Sequence, residues 1–148
     1  MLNTWIIVAE SSRARLFSYH GLKSPLTEFD DLVHSESRLH ESELTADLPG
    51  RSFDSVGHNR HALEAKNSAK DKQAQLFARQ IATYLDAACN DGRLESLIVI
   101  AAPRFIGYLR ESFTANTRNI ISSEISKNLV QMTPEQIREN ISEPVPFI

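Results

Sequence analysis

Two short stretches of this chain are apolar without a break: Trp5-Ile6-Ile7-Val8-Ala9 and Leu97-Ile98-Val99-Ile100-Ala101-Ala102. A strand with one wet face alternates apolar and polar residues, whereas an unbroken run rich in β-branched side chains suits a strand covered on both faces. Two such strands demand a layer above and a layer below them, which restricts the chain to a sheet packed between other elements. The 148 residues are enough for one domain of that kind, since a chain this long buries roughly 68–70% of its unfolded surface. With 41% apolar and 24% charged residues, the composition is that of a globular protein and not of a disordered one. Cys89 is the only cysteine, so a disulfide scaffold and a multi-cysteine zinc module are excluded. Neither apolar run approaches the roughly 18 residues of a membrane span. The first is also too short for a secretory signal and has no basic residue before it. The expectation is a soluble, cytoplasmic protein with no membrane partner.

The remaining order follows from punctuation and period. After the polar turn Glu10–Arg13, Arg15, Phe17 and Tyr19 alternate with Ala14, Leu16 and Ser18, which predicts a half-buried strand returning antiparallel. Gly21 and Ser24-Pro25 lead into a third strand over Leu26–Val33, whose Glu28, Asp30 and Asp31 suit a sheet edge. The meander therefore occupies 4–33. An acidic segment, 34–47, with a short helix follows, and then a loop over 48–67. Ser68-x-x-Asp71 has the spacing of a capping box and predicts the start of a long helix over 68–91. Phe77, Ile81, Tyr84, Leu85 and Ala88 form its buried stripe, and Gly92 is its left-handed stop. Strand, helix, strand and helix fill 95–141: Leu97–Ala102, a helix on Phe105, Leu109 and Phe113, a strand over Ile120–Leu129, and a helix opened by Thr133-Pro134-Glu135-Gln136. Gly107 inside the second helix costs roughly 1 kcal/mol against Ala, which predicts close approach of that helix to a strand. The tail covers 142–148. This β-β-β-α-β-α-β-α order predicts a single three-layer α/β domain, a mixed five-stranded sheet in a ribonuclease H-like arrangement.

Charge is unevenly placed. The chain carries −3 overall, yet Glu28–Asp47 holds seven acids and one base, while Arg51–Arg79 holds six bases and three acids. A basic stretch on an acidic protein can form the footprint of an anion or RNA site, the alternative being a solvated charged face. Its candidate contacts are Arg51, His58, Arg60, His61 and Lys66, carried by a loop given freedom by Gly50 and Gly57. Arg104 and Arg110 bracket the start of the helix after the fourth strand, where an anion can be held.

Other chemistries find less support. His58-x-x-His61 would need further zinc ligands, and His34, His40 and Asp54 stand at no recognised spacing, so no metal is expected. Ser52 or Ser55 with His58 or His61 and Asp54 can be drawn as a hydrolase triad, but no Gly-x-Ser-x-Gly elbow is present. No phosphate-binding glycine motif occurs, and no cofactor is expected. Cys89, beside the helical stripe, reads as a buried thiol. A two-metal nuclease needs several carboxylates at the strand ends, and only Glu10 closes the first strand.

Several pieces, in order and spacing, resemble the bacterial host attachment protein family, described as proteins required for attachment to host cells. They are Trp5–Ala9 with Arg13-Ala14-Arg15-Leu16-Phe17, Pro49-Gly50-Arg51-Ser52-Phe53-Asp54 with Arg60-His61, Phe77-Ala78, and Leu97–Pro103 with Gly107-Tyr108-Leu109-Arg110. The family in turn is similar to the middle domain of archaeal and eukaryotic peptide-chain release factors, whose Gly-Gly-Gln loop precedes a long helix. This chain has Gly57-His58-Asn59 there and no Gly-Gly-Gln. The resemblance implies a factor associated with the ribosome or structured RNA, without release activity and more readily non-enzymatic than enzymatic. The alternatives are a protein promoting adhesion directly and a small hydrolase centred on the same loop.

Overall fold

The computed structural model describes residues 3–21, 23–34 and 56–141, with side chains from Ala69 onward in the last stretch. Five strands form one sheet in the order β3-β2-β1-β4-β5. They are β1 (Thr4–Ala9), β2 (Arg13–Tyr19), β3 (Thr27–Val33), β4 (Ser96–Ala101) and β5 (Ile121–Ser126). β1, β2 and β3 pair antiparallel, while β4 lies parallel to β1 and β5 parallel to β4. This is the mixed arrangement expected from the element order. The two unbroken apolar runs are the adjacent strands β1 and β4 at the middle of the sheet, with Ile6–Ala9 and Leu97–Ala101 fully buried.

Helices cover one face. The helix α1 (Val56–Asn90) and α2 (Pro103–Ser112) bury Phe77, Ala78, Ile81, Leu85, Phe105 and Leu109 against Trp5, Ile7, Leu16, Leu97 and Val99. The opposite face is closed by the stretch after β5, whose Leu129, Val130, Ile137 and Ile141 pack on Ile6, Val8, Phe17, Ile98 and Ile100. That stretch includes the short helix α4 (Pro134–Glu139), opened by the capping box anticipated at Thr133 and Gln136. A five-residue helix, α3 (Ala115–Asn119), capped by Thr114, precedes β5 and carries no apolar stripe that would announce it.

Four expectations change. First, β2 is not half-buried: Ala14 and Leu16 face α1, whereas Phe17 and Tyr19 face the C-terminal stretch. Arg15 is also buried, at 8% exposure. Second, α1 starts at Val56, not at Ser68. The loop expected over 48–67 is therefore helical from residue 56, and Gly57 is a first-turn helical residue instead of a loop hinge. Ala62, Leu63, Glu64, Ala65 and Lys66 are strong helix formers, and no proline stands between Pro49 and Pro103. Propensity thus carries the helix through residues that lack an apolar period. Third, Cys89 is half-buried, its Sγ 4.0 Å from the Asn116 carbonyl. Gly92, with φ of +77°, does end the helix as read.

Fourth, a Cβ added to Gly107 would meet nothing within 4 Å, so close packing does not explain this glycine. Gly107→Ala should stabilise the protein by about 1 kcal/mol, through higher helix propensity and a less flexible unfolded chain. Thermal denaturation should show Tm rising by about 2–4 °C; a lower Tm would mean that α2 needs the glycine after all.

At the sheet edge, Tyr84 of α1 donates a hydrogen bond to Asp30 of β3. Burial first, and then this bond, push its phenol up to about 12. The short helix expected within 34–47, together with Gly50 and Arg51, lies outside the described residues.

Candidate functional site

The carboxyl ends of adjacent parallel strands leave a crevice where the chain departs into helices, and ligands of open α/β sheets gather there. β1 ends at Ala9 and β4 at Ala101, paired in register. Beyond them lies a cleft of about 230 Å³ lined by Glu10, Ser11, Lys70, Asp71, Ala74, Ala102, Arg104, Phe105, Tyr108 and Asn128. Four parts of the chain meet in it: the β1–β2 turn, α1, the start of α2 and the stretch after β5.

Two polar pairs organise the cleft. Glu10 is held from both sides, its Oε1 accepting from Ser12 Oγ at 2.9 Å and its Oε2 from Asn128 Nδ2 at 3.4 Å. Across from it, Arg104 Nη2 donates to Asp71 Oδ2 at 3.1 Å, with the Arg104 side chain 76% exposed. An ion pair so open to water contributes about 0.2–1 kcal/mol, little enough for a competing anion to take the guanidinium. Arg104 is the second residue of α2, whose N-cap Ala102 offers no side-chain acceptor to the first amides.

The predicted contacts divide. Arg104 is in the cleft. Arg110 is not: it lies in the last turn of α2 and is paired with Glu124 of β5, Nη2 to Oε1 at 2.6 Å. That hydrogen bond pushes its guanidinium above the ordinary value. The two arginines mark opposite ends of one helix, so only Arg104 stands at its start. His58, Arg60, His61 and Lys66 are on the first half of α1, one continuous helix with Lys70 and Asp71. Their side chains lie outside the described residues, as do His40, Asp54, Ser52 and Ser55. Arg60, Asn67, Lys70 and Ala74 follow at helical steps of seven, three and four. Ala74, Ala78 and Ile81 are buried, so Lys70 stands one helical step before the buried stripe of α1.

His34, weighed above as a metal ligand, sits elsewhere. Its ring is buried beside Phe77, with Nδ1 and Nε2 at 3.0 and 2.8 Å from the side-chain oxygens of Gln80 and Gln73. It fastens the end of β3 to α1. Among the described residues no three His, Cys, Asp or Glu side chains gather as a metal site, and no helix is long and apolar enough to cross a membrane.

Lys70, Asp71, Tyr108 and Asn128 were not singled out as site residues from the sequence. The signal available was positional: Glu10-Ser11 and Ala102-Pro103-Arg104 each follow a buried run directly, and such junctions are where sites form.

Comparison with known proteins places the chain. The model of a family described as "Protein required for attachment to host cells" matches residues 5–141. An uncharacterized protein of Rickettsia prowazekii (strain Madrid E) is 28% identical over 81 residues, 53% of this chain and 54% of that protein. The chain thus spans about half the length of this curated relative.

Proposed function

The chain belongs to the family of proteins required for attachment to host cells, and from that premise we propose that it works as a non-enzymatic RNA-binding factor. The first half of α1 and the cationic rim of the cleft hold phosphates of structured RNA or of the ribosome. One observation carries the reading: from residue 56 onward the basic stretch of the sequence is helical, part of α1, which reaches the cleft at Lys70 and Asp71. Arg60, Lys66, Lys70, Lys72 and Arg104 thereby belong to two neighbouring helices instead of being scattered, against an overall charge of −3. A local cationic field of this kind attracts nucleic acid whatever the sign of the whole protein.

Peptide release is not part of the proposal, because the Gly-Gly-Gln that would supply it is missing from the chain. The effect on attachment is then indirect and exerted from the cytoplasm. Cell fractionation tests that part, and a surface-exposed pool would favour direct adhesion instead.

Binding to a structured RNA should weaken steeply with salt. Each neutralised phosphate releases counterions, so four or five contacts give a slope of log K against log[salt] of about −3.6 to −4.5. A fluorescence-anisotropy titration from 50 to 200 mM salt measures it. A flat dependence, or no association at low salt, removes the proposal.

A further inference from the structure

We propose that the cleft beyond β1 and β4 seats one guanine nucleotide, with the base edge on Glu10 and the phosphate on the rim formed by Arg104 and Lys70. This rests on the RNA-binding reading and deepens it by naming the nucleotide that enters.

Size comes first. At about 230 Å³ the cleft is smaller than the roughly 300–1,000 Å³ of sites that enclose a whole small ligand. It suits one unit of a longer chain. Polarity comes next: the cleft has a cationic rim, with Lys70 exposed and Arg104 held, among the described residues, only by Asp71, and a half-buried anionic group in Glu10. A phosphate is attracted to the first and repelled by the second. The occupant must therefore be anionic at one end and rich in hydrogen-bond donors at the other, which is the polarity of a nucleotide.

Glu10 selects the base. Its two oxygens already accept from Ser12 and Asn128, which fixes the carboxylate. An ionised carboxyl offers about four acceptor sites, so each oxygen keeps a free one. Two parallel acceptors require two adjacent donors. Guanine presents them as its ring N1–H and exocyclic amino group, whereas adenine, cytosine and uracil each set an acceptor beside their donor. The half-buried ring of Tyr108 supplies an apolar wall on which any base can lie.

The test uses the full chain and the free 5′-monophosphates of guanosine, adenosine, cytidine and uridine, with inorganic phosphate as the reference, in low-salt calorimetric titrations. The guanine nucleotide should bind at least ~10-fold more tightly than the other three. Glu10→Gln should abolish that preference without lowering phosphate affinity, since it removes a charge that repels phosphate. Gln can accept from Asn128 with its oxygen and donate its amide to Ser12 Oγ, and the ranking on the unmodified protein depends on no variant. Equal affinities for the four nucleotides, no binding beyond that of inorganic phosphate, or a guanine preference that survives Glu10→Gln would each overturn the assignment. Guanine selectivity without any RNA association would uphold the pocket and instead dismiss the RNA-binding reading.

Discussion

Arg15→Ala should cost about 3 kcal/mol, although arginine is ordinarily a surface residue. The guanidinium lies on the face of the sheet away from α1, over the ring of Phe17 at 5.1 Å. Its Nε and Nη2 donate to the two carboxylate oxygens of Glu28 at 3.0 and 2.9 Å. Its Nη1 donates to the carbonyls of Val130 and Met132 at 2.8 and 2.7 Å. One side chain thus ties β2 to the edge strand β3 and to the stretch that covers the second face.

Truncation strands a partly buried carboxylate and two carbonyls together. Breaking a buried pair from one side costs about 3–5 kcal/mol, and the 31% exposure of the Glu28 side chain places this case at the lower end. Arg15→Lys should recover less than half, because an ammonium cannot reproduce the planar fork. Urea denaturation checks both variants. A loss below about 1 kcal/mol for Arg15→Ala, the scale of a single hydrogen bond, would show that the four contacts do not act together.

How much of this was legible in the sequence depends on what each signal measures. β1 and β4 were readable because burial on both faces forces an unbroken apolar run, and no other element is that short and that apolar. The capping box at Thr133 and the stop at Gly92 were readable because both are local hydrogen-bonding or backbone constraints. The early start of α1 was not, since hydrophobic period reports packing and residues 56–69 include no regular apolar stripe. Helix propensity was the remaining signal, and it was outweighed by the two glycines and the histidines.

The site divided along the same line. The place of Arg104 beside the strand ends was readable because it follows a buried strand directly. Arg110 was misplaced, because six residues of helix carry it about 9 Å away, to Glu124. Lys70 and Asp71 were read as part of a helix cap, and only the packing of α1 beside the start of α2 makes them cleft residues. Asn128 comes from the end of the chain and could not be linked to Glu10 without the fold. Arg15 looked like the polar member of an alternating strand, and nothing local says that carbonyls 115 and 117 residues away will satisfy it.

The central claim, that α1 and the cleft rim together form an RNA surface, is tested most directly by reversing two of its charges. Lys70 is exposed and Arg104, among the described residues, is held only by a solvent-open pair, so Lys70→Glu with Arg104→Glu should leave the fold intact. Each removed phosphate contact should lower the salt slope by about 1, and RNA affinity at 50 mM salt should fall at least ~100-fold, since two attractions become repulsions. Arg93→Glu, at the far end of α1 where the guanidinium meets only Asp91, should leave both unchanged. If instead the double variant binds RNA as the unmodified protein does, or Arg93→Glu weakens binding just as much, the surface is not where the charges of α1 and α2 put it.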